Sequence, residues 1–356
     1  MVDITRKINS LKKQKHKNIY MKKYLFYFVV FILGIGLGFL INKTQKLQKS
    51  DLLLDKNKLI ADMSEIREGG YKFINPLLEC EFEEGIIGKE FIPFKPMVQE
   101  YIDKKIAQGK ISYASVYFRD LNNGPWFGIN EKEKFIPASL LKVPVMMAHY
   151  KFAELDPQHL SKKVFFNKKY EFPEKVQTIV PSKEIEVGKE YTIEELIERS
   201  IIYSDNQATV LLQEQIDNSF ILDVYTRLGV STDVFQSGGT LTVKEYATFF
   251  RILFNASYLN QTFSEKALEL LSQSEFTDGL AAGVPVGTIV SHKFGESGSI
   301  KMYRQIHDCG IIYYANHPYL LCIMTRGEDL GELIKSIQET SRLVWEEINK
   351  QILSMR

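Results

Sequence analysis

The rhythm of apolar and polar positions changes along the chain, and each change predicts a different element. From Tyr24 to Ile41 the run YLFYFVVFILGIGLGFLI carries no charged residue. As a single helix it spans about 27 Å, close to the thickness of a bilayer core. Residues 42 to about 68 are polar, with apolar positions at Leu47, Leu52, Leu53, Leu54, Leu59, Ile60 and Met63, and they stop at Gly69-Gly70. That pattern predicts a helical stalk. From Pro96 the pattern is denser. A helix is expected near 96–109, then a strand in SYASVYFRDL from Ser112, the turn Asn122-Asn123-Gly124-Pro125, and a short strand from Trp126 to Ile129, which together make a hairpin.

Between about 138 and 275 helical periodicity dominates, in segments that begin near Ala138, Thr192, Asn206, Ser219, Thr242 and Ser264. Strand character returns at Thr288–Phe294, Ile306–Tyr314 and Tyr319–Thr325, and an amphipathic helix runs from about Leu330 to Ile352. Strands at both ends with helices between them predict an α/β protein of the α+β kind. Its antiparallel sheet, flanked by helices, brings the domain's ends together, and the inserted helices form a separate all-helical lobe. A cleft is expected between lobe and sheet.

Charge refines this picture. Lys plus Arg is 45 and Asp plus Glu is 44, a balance that gives no reason to expect a nucleic-acid partner. The first 23 residues, however, hold Arg6, Lys7, Lys12, Lys13, Lys15, Lys17, Lys22 and Lys23 against Asp3. The positive-inside bias keeps that end cytoplasmic and places the rest of the chain outside the cell membrane. No small-x-small cleavage site follows the apolar run, so it reads as an uncleaved anchor and not as a secretory signal. The expected organisation is a basic tail (1–23), a transmembrane helix (24–41), a stalk and juxtadomain segment (42–92) and one globular domain (93–356). Gly34 and Gly38 form a GxxxG able to seat a second helix, although glycine is common in such spans.

Cys80, Cys309 and Cys322 lie in the exported part. Cys309 and Cys322 fall on a predicted hairpin, but sequence does not fix its register, and they are expected as free buried thiols. The six histidines are scattered without HExxH or similar grouping. Neither a metal site nor a cofactor is expected.

Three stretches carry reactive groups. Ser139-Leu140-Leu141-Lys142 opens a predicted helix, and spacing of three puts hydroxyl and amine on one face. A lysine desolvated beside other cations becomes a base for the hydroxyl, while the helix start offers backbone N–H groups to developing negative charge. Taken alone, Ser139 is an ordinary cap and Lys142 an ordinary solvated lysine. Tyr203-Ser204-Asp205-Asn206 sits at a break between two helical patterns, where Ser, Asp and Asn are also favoured caps. His292-Lys293-Phe294-Gly295-Glu296-Ser297-Gly298 lies on the first strand after the helices. There Lys293 places a positive charge, and Gly295 and Gly298 allow close approach of a ligand backbone.

In order, these stretches resemble the SxxK, SDN and KTG elements of the penicillin-recognising serine hydrolases, specifically the class A β-lactamase-like family. YTIEELIERSIIYSDNQATVLL and CGIIYYANHPYLLCIMTRG are similar to that family too, and the resemblance covers about residue 93 to the C-terminus. It implies a β-lactamase or transpeptidase-like fold with Ser139 as nucleophile, Lys142 as proton acceptor and Ser204 as proton relay. Asn206 would position the substrate amide, Lys293 would hold the substrate carboxylate, and the N–H groups of Ser139 and Glu296, beyond Gly295, would form the oxyanion hole. The implied substrates are β-lactams or acyl-D-alanyl peptides such as peptidoglycan stem peptides.

Two departures stand out. Phe294 replaces the hydroxyl residue usual in the third motif, with Ser297, Ser299, Arg304 and Arg326 as possible substitutes. Between Gly229 and Thr242 only about a dozen residues replace the long loop that carries the family's deacylating glutamate. Of the nearby acids Glu214, Asp217, Asp223 and Asp233, only Asp233 lies in that loop.

Overall fold

The computed structural model describes residues 65–80, 94–122, 124–172, 178–298, 303–315 and 317–354. The expected membrane span, most of the stalk and Ser299 lie outside these residues. Among the described residues no helix is long and apolar enough to cross a membrane.

The first described element corrects the stalk. Glu65–Arg67 (β1) is a strand paired antiparallel with Leu77–Cys80 (β2). Gly69 and Gly70, between the two strands, both adopt positive φ and turn the chain. The hairpin is bound to the domain: Glu265 accepts from the N–H groups of Lys72, Phe73 and Ile74 at 2.9–3.1 Å, and Phe73 and Ile74 are buried.

Lys95–Ala107 (α1) leads into Tyr113–Asp120 (β3) and Trp126–Ile129 (β4), the expected hairpin. A two-residue strand, Lys134–Phe135 (β5), precedes a 3-10 turn at Ala138–Leu141 and helix Lys142–Ala153 (α2). A small hairpin, Lys163–Phe166 (β6) with Lys189–Thr192 (β7), follows. The helical lobe continues through Ile193–Ile202 (α3), Asn206–Gln213 (α4), Asn218–Arg227 (α5) and Asp233–Gln236 (α6). Leu241–Thr242 (β8) pairs with β5, and Val243–Phe254 (α7) and Gln261–Leu271 (α8) complete the insertion. Val290–Ser297 (β9), Arg304–Tyr314 (β10), His317–Gly327 (β11) and the long helix Leu330–Ser354 (α9) end the domain.

Helix starts follow local chemistry. Thr192–Glu195 and Thr242–Glu245 form reciprocal capping boxes at α3 and α7, each side-chain cap contributing about 1 kcal/mol. The main sheet is antiparallel, in the order β4-β3-β11-β10-β9. Val116 of β3 stands opposite Ile323 of β11, so strands from the two ends of the domain are hydrogen-bonded neighbours. One face of the sheet packs on the helical lobe and the other on α1 and α9, each with its own apolar core.

The cysteine expectation is overturned. Cys309 and Cys322 stand directly opposite in β10 and β11 with Cα atoms 4.0 Å apart, and they are joined as a disulfide. The strand register brings the two side chains to the same place on one face, which sequence alone does not specify.

Candidate active site

The SxxK turn is held from three sides. Ile136, just before it, donates its N–H to Gln305 Oε1 at 3.1 Å and accepts at its carbonyl from His307 Nε2 at 3.0 Å, both side chains coming from β10. On the far side of the turn Tyr246 Oη of α7 donates to the Leu140 carbonyl at 2.9 Å. From β9, Gly295 approaches so closely that a Cβ there would lie 2.6 Å from the Pro137 carbonyl and 3.1 Å from the Leu140 nitrogen. Ala138 takes a φ of 50°, a left-handed conformation unusual for alanine, so the segment expected to start as a regular helix is a 3-10 turn that becomes α-helical at Lys142. Backbone in such a region persists only where its surroundings over-determine it, and these clamps do so. Ser139 itself is half-buried.

Lys142, one turn on, is buried. Its ammonium donates to the Ser204 carbonyl, to Ser204 Oγ at 2.9 Å and to Asn206 Oδ1 at 2.8 Å. Ser204 is placed by strain and capping together. It has a φ of 59° between α3 and α4, and buried Asp205 caps α4 by accepting from the Gln207 and Ala208 N–H groups while its second oxygen accepts from Ile185 N–H at 2.7 Å. Lys293 of β9 is fully buried and donates to the same Ser204 Oγ at 3.0 Å and to the Phe294 carbonyl. Lys142, Ser204, Asn206 and Lys293 therefore form one hydrogen-bonded cluster.

Burial pushes the Lys142 amine well below lysine's ordinary value, the Lys293 charge pushes it further the same way, and Asp205 pulls it back. Burial also lowers Lys293, to about 7, against the pull of Asp308. Asp308 is itself fixed beneath the site, accepting from His292 Nδ1 and from Leu280 N–H at 2.8 Å. Of the cluster's groups only the two lysines have a neutral form that is a strong nitrogen base, and burial favours that form in both.

The departures from the motif pattern resolve into packing. Phe294 is buried against Phe276 with ring centroids 4.4 Å apart, and Lys293 Nζ lies over its ring, 4.1 Å from the centroid. It extends the core beneath the sheet. Glu296 accepts from the N–H groups of Thr178 and Ile179 and pairs with Arg304 at 2.7 Å, so its side chain ties the loop at 178–179 to the end of β9. Arg304 is thereby committed to Glu296. Arg326 is likewise committed, to Glu133 and the Lys134 carbonyl. Tyr203 is half-buried, between the cations of Lys183 and Arg199.

Of the four acids weighed as water activators, Glu214 accepts from Tyr170, Asp217 caps α5 and Asp223 binds Arg227 and Tyr258. Asp233 is exposed at the start of α6. None of the four hydrogen-bonds to the lysine and serine cluster among the described residues.

Sequence reasoning missed Asp205, Asp308, Gln305, His307 and Tyr246 as supports. Asp205 carried a visible signal, since it precedes a helix start inside the SDN stretch. Gln305 and His307 reach Ile136 across a chain separation of 169 and 171 residues, and no local pattern marks such a contact. Among the described residues no group of side chains could hold a metal ion.

Known structures share this architecture. That of PBP-A superposes with a TM-score of 0.62 at 20% identity, covering 74% of this chain and all of that one. A PBP-A mutant in acyl-enzyme complex with penicillin G gives 0.59 at 20% identity over 72% and 97%. A class A β-lactamase from Mycobacterium abscessus gives 0.59 at 20% over 71% and 100%. At such identities the likeness shows the fold. No curated protein matches the chain in sequence. The sequence from 97 to 348 matches the Beta-lactamase enzyme family, and the three ordered motifs fall within that span, so the chain belongs to that family of serine hydrolases.

Proposed function

We propose that the protein is a membrane-anchored, extracytoplasmic acyl transferase that uses Ser139 on β-lactams or acyl-D-alanyl peptides, with slow deacylation. One observation carries the chemical part: Lys142 and Lys293, both buried, converge on Ser204 Oγ next to the turn that bears Ser139. Neutral Lys142 takes the Ser139 proton as Oγ bonds to the substrate carbonyl carbon. The oxyanion is received by the N–H groups of Ser139 and Glu296. As the C–N bond breaks, Ser204 passes a proton to the leaving nitrogen and is reprotonated from Lys142, which leaves an ester on Ser139. Asn206 orients the substrate amide and Lys293 faces its carboxylate. A mutant of PBP-A, one of the proteins of like fold, is known in acyl-enzyme complex with penicillin G, which supports the choice of substrate.

Slow deacylation follows from the short segment between α5 and α7. A missing base for water costs about 10²- to 10⁴-fold, or about 3–5 kcal/mol of barrier. Anchoring rests on the charge-free run 24–41 behind a basic tail.

The test is intact-protein mass spectrometry of the full chain with penicillin G, followed over hours. An adduct that forms, decays slowly and is absent from Ser139→Ala is expected. Turnover as fast as that of efficient β-lactamases would remove the slow-deacylation reading. No adduct at all, with the fold intact, would favour a binding protein that keeps the family's architecture.

A further inference from the structure

At the opposite edge of the sheet from Lys293, three cations meet without an acid. Arg119 of β3, and Lys244 and Arg251 of α7, line a cavity of about 310 Å³ whose walls include Tyr117, Trp126 and Thr248. Residues 244, 248 and 251 recur at helical spacing, so they share one face of α7. Arg119 stands opposite Trp126 in the β3–β4 register, and the Tyr117 and Trp126 rings stack with centroids 5.7 Å apart.

Among the described residues none of the three cations forms an ion pair. Elsewhere in the domain Arg227, Arg304 and Arg326 are each matched to a carboxylate. Glu131, the acid just past the far end of β4, folds back over Gly128 and does not line the cavity. Lys244 lies over the Trp126 ring, 4.1 Å from its centroid. Two guanidiniums and an ammonium facing one cavity repel one another unless an anion completes the set. Burial, and next the Arg119 charge, lower Arg251 from arginine's ordinary value, as that crowding requires.

We propose that this cavity is an anion site for a phosphoryl group, carried on a small phosphate ester or on a phosphodiester polymer. Planar guanidinium forks suit phosphate oxygens, and a group with up to two negative charges balances this cluster better than one carboxylate. The aromatic wall offers an apolar face to the carbon skeleton of the same ligand. The site is separate from the serine cluster, with β3, β11 and β10 lying between β4 and β9 in the sheet.

The chain has two tryptophans, so Trp345→Phe makes Trp126 the sole indole reporter. Titration of the full-length Trp345→Phe chain, in nonionic detergent at constant ionic strength, with glycerol 3-phosphate and with poly(glycerol phosphate) is expected to give a saturable fluorescence change. Half-saturation is expected at about 1 mM or tighter. Arg251→Gln and Lys244→Gln should each raise the half-saturation concentration about tenfold, with thermal unfolding reporting an intact fold. Lys244 is exposed, so that variant keeps the test decisive if Arg251→Gln fails to fold. Equal response to the ester and to polymer phosphate units assigns the small ligand, and tighter binding of the polymer assigns the polymer. An equal response to sodium acetate, no saturable change, or indifference to both variants would overturn the proposal.

Discussion

Lys142 and Lys293 donate to the same atom, Ser204 Oγ, at 2.9 and 3.0 Å. Two ammonium groups on one hydroxyl repel, and both are buried, so burial and then the Lys293 charge favour the neutral form of Lys142. Ser204 is in turn held in left-handed backbone between two helices. In the proposed reaction this arrangement would supply a base where a fully charged lysine would be inert.

Lys142→Arg should abolish the penicillin adduct, because a guanidinium does not lose its proton at neutral pH. Mass spectrometry reads the outcome, and an adduct forming at an undiminished rate would assign the proton to another group.

Lys293→Gln removes the charge that depresses Lys142. The Lys142 pKa then rises, its neutral form is populated only at higher pH, and the acid limb of the acylation rate moves upward in pH. Stopped-flow labelling across pH 5–10 measures it, and a limb that stays in place or moves to lower pH would contradict the coupling.

Gly295→Ala puts a methyl group 2.6 Å from the Pro137 carbonyl. The new Cβ displaces either β9 or the turn bearing Ser139, at about 1–3 kcal/mol. Acylation should fall by about a hundredfold, since an ångström of misplacement costs that much, while far-UV circular dichroism stays native. Unchanged labelling would show that the close approach does not set the turn.

Acid should destabilise the fold through its buried histidines. His149 donates from Nε2 to the Leu212 carbonyl and accepts at Nδ1 from His159. Burial, aided by His159, lowers its pKa to about 3, and burial lowers His307 to about 4. The unfolded chain takes up these protons near pH 6.5 and the folded chain does not. Stability is therefore complete above about 6.5 and falls as pH drops, by about 1.4 kcal/mol per pH unit for each ring. The urea midpoint should decrease between pH 7 and 5, and less steeply in His307→Gln. Equal midpoints would refute this.

Reduced and non-reduced peptide maps should differ by a Cys309–Cys322 link. Replacing both cysteines with alanine should cost about 3 kcal/mol in urea unfolding, as expected for a loop of this length. Identical maps, or equal stability, would count against the bridge.

What the sequence reveals depends on how far each feature reaches along the chain. The helices announced by Thr192–Glu195 and Thr242–Glu245, and the strands around Ile312 and Tyr319, rest on neighbours within a few residues and are legible. So are Ser139, Lys142, Ser204, Asn206 and Lys293, because motif spacing is local. The β1–β2 hairpin was hidden behind stalk-like periodicity, since its partner Glu265 is almost 200 residues away. The Cys309–Cys322 bond depends on strand register, and the packing of Phe294 on Phe276 depends on a residue 18 positions earlier in the chain. The grip of Gln305 and His307 on Ile136 is purely tertiary.

The pairing of β3 with β11 has a consequence for synthesis. A chain made from its N-terminus displays Ser139, Lys142 and Ser204 long before residues 317–327 emerge, yet β3 has no inner neighbour until they do, and Ile136 no clamp until Gln305 and His307 are made. A ribosome-bound or truncated chain that ends before β10 therefore carries Ser139, Lys142, Ser204 and Lys293 and, under the proposed function, is expected to resist acylation. The proposed acylation would begin only with completion of the last hairpin, leaving the nascent chain chemically silent.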